Sequence, residues 1–209
     1  MRKNSVWVYD IETYPNIFTF VFRKVGEREL KIFEISSRKN QIRELILFLK
    51  TRNLRLIGYN NVAFDYPVLH YILKNPNTTL QEMFDYVQES IIGSEFPVIP
   101  EWNIVIPQVD LYKICHYDNM ARATSLKWLE FTLRWEKLQD LPFKPGTIIP
   151  TDKFDYLIEY NINDVDFTFR FLDECMDAIM FRQEMSKVLD KNVMNYSDVK
   201  IGELLNRQT

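Results

Sequence analysis

Glycine is scarce in this 209-residue chain, at 5 residues, and cysteine and histidine number two each. The two cysteines, Cys115 and Cys175, exclude a disulfide framework and a four-thiolate zinc site. They read as buried thiols of a reduced, intracellular protein. The two histidines, His70 and His116, exclude any mechanism built on a cluster of imidazole ligands. Long apolar runs are missing too. The stretch Leu45 to Leu49 is far short of the roughly 20 residues that span a bilayer. The early run from Val6 to Tyr9 stops at Asp10, short of a signal-peptide core of about 7–15 apolar residues. A cytoplasmic monomer without a membrane partner is expected. Nor is there an excess of positive charge: 26 Lys and Arg stand against 29 Asp and Glu, a net −3. That balance argues against a protein that coats a duplex. It leaves room for a site that grips a few nucleotides through metal ions.

What is present suits one globular domain. Apolar residues make up 46% and charged residues 26%, and aromatics reach 14%, which supplies large rings for a core. No repeat or low-complexity segment interrupts the chain. Periodicity predicts strands over 5–10, 17–23, 30–35, 54–59 and 103–109. It predicts helices over 40–50, 66–74, 79–92 and 125–134, near-continuous helix over 151–185, and a short helix over 197–206. The proline-bearing stretch 137–151 reads as a surface connection. Three meandering strands followed by alternating helices and strands predict an α/β domain with a mixed five-stranded sheet covered by helices, the pattern of an RNase H-like fold. The expected division is a domain over 1–185 and a tail, or the start of a linker, over 186–209.

The informative residues are acidic. Strand one ends Asp10-Ile11-Glu12, and alternation places Asp10 and Glu12 on one face. Strand four ends Gly58-Tyr59-Asn60, and a helix opens near Asp65 and Pro67. On the late helix Tyr160 and Asp164 are four apart and share a face. Taken singly, each has an ordinary explanation: a solvated strand end, an N-cap at Asp65, a polar helix edge. Together, four carboxylates from two strand ends and two helices match the oxygen cage that two divalent cations need. Asp110 reads as structural, and Asp155 and Asp166 as part of a solvated edge of the late helix.

At this point the sequence resembles a known family. D-x-E on the first strand, G-Y-N-x₃-F-D after the fourth and Y-x₃-D on the late helix resemble the three motifs of DEDDy-type 3′–5′ exonucleases. The nearest likeness is to the proofreading domain of family B DNA polymerases. Val109-Asp110-Leu111-Tyr112-Lys113, Ser125-Leu126-Lys127-Trp128-Leu129 and Tyr160-Asn161-Ile162-Asn163-Asp164-Val165 extend the likeness, which covers roughly Val6 to Leu172. The resemblance implies hydrolysis of the terminal phosphodiester at a single-stranded DNA 3′ end with two Mg²⁺ or Mn²⁺ ions. Asp10, Glu12 and Asp164 would hold one ion, and Asp10 would bridge to a second that Asp65 reaches. Tyr160 would orient the attacking water. Asn60 and Phe64 match residues of the family's substrate-contacting motif, with core packing the favoured role of Phe64. Thr13, Tyr14 and Lys127 are further candidate contacts: Tyr14, just past Glu12, could stack on a terminal base, against an ordinary surface role. Lys113 and Arg122 are further candidates for phosphate. An RNA-directed enzyme of the same superfamily and a non-catalytic nucleic-acid-binding module are the alternatives. The polymerases continue into palm, fingers and thumb. A chain ending at Thr209 is expected to be an excised domain, a subunit beside a polymerase region, or a free-standing exonuclease.

Overall fold

The computed structural model describes residues 5–94, 98–117 and 119–207. Five strands form one mixed sheet: β1 (Ser5–Tyr14), β2 (Ile17–Lys24), β3 (Leu30–Ser36), β4 (Leu54–Gly58) and β5 (Gln108–Asp110). Their order is β3-β2-β1-β4-β5. The first three form an antiparallel meander, and β4 and β5 run parallel to β1.

Period-2 alternation splits the core into two layers. Trp7, Tyr9 and Ile11 of β1 and Phe18, Phe20 and Phe22 of β2 face one side. They pack there with α1 (Ile42–Leu49), α2 (Asp65–Lys74) and α3 (Leu80–Tyr86). Val8, Val21, Ile57 and Val109 face the other side, against Val165, Phe167 and Phe171 of the long helix α6. The intervening short helices are α4 (Leu111–Ile114) and α5 (Leu126–Thr132). Then come α6 (Phe154–Glu174), α7 (Met176–Val188) and α8 (Asp198–Asn206). Among the described residues no helix is long and apolar enough to cross a membrane.

One feature of the register positions the site. β1 pairs with β4 only from Ser5 to Val8, whereas its pairing with β2 continues to Tyr14 opposite Ile17. The far half of β1 therefore projects beyond the carboxyl end of β4. Crevices of this kind, where neighbouring strands diverge, are where open α/β sheets bind ligands.

Several elements differ from the sequence-based expectation. β1 runs four residues beyond Asp10, because a two-residue connection at Pro15 and Asn16 closes the hairpin. The fifth strand is only Gln108–Asp110, since Pro107 has no N–H to give a ladder. The helix from Thr79 begins with a capping box between Thr79 and Glu82, then widens into a π-helical turn over Val87–Ile92. The 137–151 connection is pinned at two points. The Tyr14 hydroxyl donates to the Phe143 carbonyl at 3.0 Å, and Asn16 bonds Ile149 through both its amide oxygen and its nitrogen. Asp155 and Asp166 are not merely solvated: they pair with Arg38 and Arg23, tying α6 to the meander.

α7 runs through the expected boundary at 185, to Val188. The segment beyond belongs to the same body. Asn195 accepts from the Asp110 N–H at 2.9 Å and donates to the Gln108 carbonyl at 3.1 Å. Buried Arg182 pairs with Asp198 at 2.8 Å. Ile201 of α8 is buried against Leu189, Val193 and Tyr196.

Candidate functional site

Asp10 and Glu12 sit on the α6 side of the projecting half of β1. Asp164, on α6, meets them: carboxylate oxygens of Asp10, Glu12 and Asp164 lie within 4.8 Å of one another. This group could hold a metal ion.

Asp65 approaches from the opposite flank. It is the first residue of α2 rather than its N-cap, which is Phe64. Its Oδ1 accepts the Ile11 N–H at 3.0 Å, a donor that lies beyond the last residue β1 pairs with β4. The turn leading there is tightly built. A Cβ on Gly58 would stand 2.7 Å from Asn61 Cβ, and Asn60 adopts a φ of 57°. Asp110 holds this turn, accepting from the N–H groups of Asn60 at 2.8 Å and Val62 at 3.2 Å, and it also caps α4. Asp110 is thus structural. Asp10, Asp65 and Asp164 line an open cleft of about 620 Å³ together with Asn60 and Phe64.

The electrostatics are those of an uncompensated anionic cluster. Burial and the charge of Asp65 push Asp10 well up from the usual carboxylate range. Burial and its three acidic neighbours do the same to Glu12. Asp65 is pushed up to about 8, chiefly by burial. Asp164 is pushed up to about 8 by burial and then by Asp10 and Glu130. Burial and Asp164 raise the Tyr160 phenol, so it stays protonated at neutral pH. Asp164 Oδ1 is buried without a hydrogen-bond partner. Buried polar oxygens rarely remain unpartnered, and Asp164 belongs to a group with the all-oxygen chemistry of a hard-cation site.

Three residues that the sequence reading did not single out complete the cluster. Asn161 donates through Nδ2 to Asp10 Oδ2, and its Oδ1 accepts from Thr19 Oγ1 at 3.1 Å. Both Asn161 and Thr19 are fully buried. The relay fixes the Asp10 rotamer from β2 through α6. The signal was available: Thr19 is the lone hydroxyl in the run I-F-T-F-V-F. The third is Glu130, buried beside Asp164, with its own carboxyl raised by burial. Lys127 Nζ lies 3.3 Å from Glu130 and over the Tyr160 ring at 5.8 Å.

The remaining expected contacts divide. Asn60 is exposed at the rim, and Phe64 lines the cleft while packing on the aromatic layer. Thr13 alternates to the face of β1 opposite Glu12. Tyr14 is corrected: only 2% exposed and hydroxyl-bonded to Phe143, its ring packs with Phe154 and Leu157 and is closed to a substrate base. Cys115 and Cys175 lie side by side, their sulfurs 3.3 Å apart, and are free.

No protein-family model matches the chain, and no curated protein matches it in sequence. Three carboxyls line the cleft, Glu12 joins two of them in the acidic group, and the protonated Tyr160 phenol stands beside Asp164 with Lys127 over its ring. Without bound cations such a cleft offers a phosphate little attraction at neutral pH and repels it once the carboxyls ionise. With them it becomes a phosphate-binding surface beside a hydrogen-bond donor.

Proposed function

We propose that the chain is a metal-dependent 3′–5′ exonuclease with an RNase H-like fold. It would hydrolyse the terminal phosphodiester of single-stranded DNA, in the manner of the proofreading domains of family B DNA polymerases. The observation that carries this reading is the meeting of Asp10, Glu12 and Asp164 within 4.8 Å, beside a cleft that Asp65 also lines. The sheet order β3-β2-β1-β4-β5, with an antiparallel meander and two parallel strands, supports the fold assignment.

Asp10, Glu12 and Asp164 fit a divalent cation of the Mg²⁺ or Mn²⁺ kind, and Asp65 in the same cleft would serve a second. The donors are all oxygens, Asp164 Oδ1 lacks a partner, and the raised carboxyls mark charge awaiting neutralisation. Asp10, Glu12 and Asp164 would hold one ion, and Asp10 with Asp65 the other. Such ions, when bound, neutralise charge around the scissile phosphate and make water a stronger nucleophile at neutral pH.

The chain's own residues do the rest. Asn161 holds Asp10 in one rotamer, so a carboxylate that would hold an ion is fixed before substrate arrives. Tyr160 keeps its proton and donates a hydrogen bond, which orients a water rather than deprotonating it. Asn60 and Phe64 flank the place of the terminal nucleotide, one polar and one apolar. Lys127 supplies positive charge on the α5 side.

The test is a time course on a 5′-labelled single strand with Mn²⁺, run in parallel on matched DNA and RNA. Products should shorten stepwise from the 3′ end, with DNA the better substrate. Asp10→Ala should abolish shortening while leaving the circular dichroism spectrum unchanged. Turnover that survives excess chelator refutes the metal assignment.

A further inference from the structure

We propose that the outward face of α5 is a second contact for the single strand. Trp128 and Phe131 would form a stacking platform, with the Arg122 guanidinium beside it, that holds bases upstream of the 3′ end. The proposal rests on the reading of the acidic cleft as the place of that end.

α5 buries only Leu129 and Glu130. Its two large rings point the other way: Trp128 is 60% exposed and Phe131 62%. Their centroids lie 5.7 Å apart with an interplanar angle of 33°. Two rings held next to each other in water leave considerable apolar area uncovered, and planar area is what a nucleobase covers. Every base has a π-face, so stacking on such rings is tolerant of sequence.

The platform adjoins the cleft. Ala123, Thr124 and Ser125 line both the cleft and a neighbouring groove of about 610 Å³, in which Arg122 and Trp128 stand. This shared wall is built firmly. The Tyr59 hydroxyl donates to the Thr124 carbonyl at 2.7 Å, and Ser125 Oγ accepts the Trp128 N–H at 3.1 Å as the N-cap of α5. A strand leaving the cleft across residues 123–125 therefore meets Arg122 and then the Trp128 ring.

Charge selects the occupant. Arg122 lines the groove beside Trp128, and among the described residues no acidic side chain lines it. A polyanion with unstacked bases fits exposed rings beside a cation better than an apolar protein surface does.

The experiment is an anisotropy titration, in chelator, of labelled oligothymidylates of about 4 and about 12 nucleotides. Wild type should bind the longer strand more tightly. Trp128→Ala should lose about 5- to 150-fold on the longer strand, the range of one base–aromatic stack, and little on the shorter. Trp128→Phe should restore most of that loss, and Arg122→Ala should flatten the salt dependence. Intrinsic fluorescence should be quenched by the longer strand in wild type, and this quench should shrink in Trp128→Phe. Thermal melts confirm folding, since both rings are exposed. Equal affinity of wild type for the two lengths overturns the proposal, as does a Trp128→Ala variant that binds both like wild type. Self-association that disappears in Trp128→Ala while strand binding persists also overturns it, and assigns the face to a protein contact. Trp128-dependent strand binding without any shortening in Mn²⁺ would defeat the nuclease reading alone.

Discussion

Raising the pH of the protein in chelator should weaken its fold, and added Mn²⁺ should reverse the effect. The cleft sets the size. Asp65 and Asp164 are pushed up to about 8, and Asp10 and Glu12 rise with them. In the unfolded chain such carboxyls titrate near 4. Between about pH 4 and about pH 8 the folded protein therefore holds more protons than the unfolded one. Their contribution to stability is complete below about pH 4 and is lost as pH climbs through this window.

One pKa unit corresponds to about 1.4 kcal/mol, so a lone carboxyl held near 8 would forfeit about 5 kcal/mol by pH 8. A domain has only about 5–15 kcal/mol in total. Four full penalties cannot coexist with a folded chain. Protons shared among neighbours bring the expected loss from pH 5 to pH 8 to about 2–4 kcal/mol. An ion that binds only the folded state returns about 2.7 kcal/mol at a hundred times its Kd. At about 2–4 °C per kcal/mol for a domain of this size, Mn²⁺ should raise Tm by about 5–11 °C at pH 8. At pH 5 the gain should be far smaller, because protons compete for the same oxygens. Scanning calorimetry across this range, with chelator or Mn²⁺, measures both. A manganese shift of equal size at pH 5 and pH 8, or one undiminished in Asp164→Asn, would refute the reasoning.

Asn161→Leu should cost about 2–4 kcal/mol, because Thr19 Oγ1 and Asp10 Oδ2 both lose their buried partner. By calorimetric titration it should also weaken Mn²⁺ binding about 10- to 100-fold, as loss of a ligand's supporting hydrogen bond does. Gly58→Ala should lower stability by about 1–3 kcal/mol, since the new Cβ meets Asn61 Cβ at 2.7 Å and the Tyr9 carbonyl at 3.3 Å. A denaturant melt reads that loss, and an unchanged midpoint would show that the turn has slack.

The parts of this molecule that were legible in sequence are those written in a local period. Alternation put Asp10 and Glu12 on one face, and helical spacing put Tyr160 over Asp164. The apolar positions Ile42, Leu45, Ile46 and Leu49 gave the buried face of α1 as observed. What escaped depends on partners distant in the chain. Tyr14 lies just past Glu12 and so looked available to stack on a substrate base. It is closed off by Phe143 and Phe154, residues of a connection and a helix 129 and 140 positions further along the chain. Asn161 gives no local sign of its role, because a buried amide in a helix is defined only by what it meets, here a strand carboxylate on one side and Thr19 on the other. The break between α6 and α7 falls at Cys175 without glycine or proline to announce it. The tail looked like a separate segment because nothing in its own sequence reveals that Asn195 completes the edge of β5.

The placement of the acids is itself a consequence of the aromatic layer. Carboxylates as crowded as Asp10, Glu12 and Asp164 repel one another and would gain by moving apart. Sliding β1 along β2 by one residue would do so, and would cost little if the strand were polar on both faces. Here such a slip would turn Asp10 and Glu12 into the layer of Phe18, Phe20 and Phe22, and would turn Trp7, Tyr9 and Ile11 out of it. Each of those side chains contributes about 1.5–3 kcal/mol by burial. Together they outweigh the repulsion that the charged face can exert. The register of the hairpin is thus set by rings on one face, and the acids on the other inherit it. Substitutions that thin the aromatic alternation should loosen the acidic cluster before they dissolve the sheet.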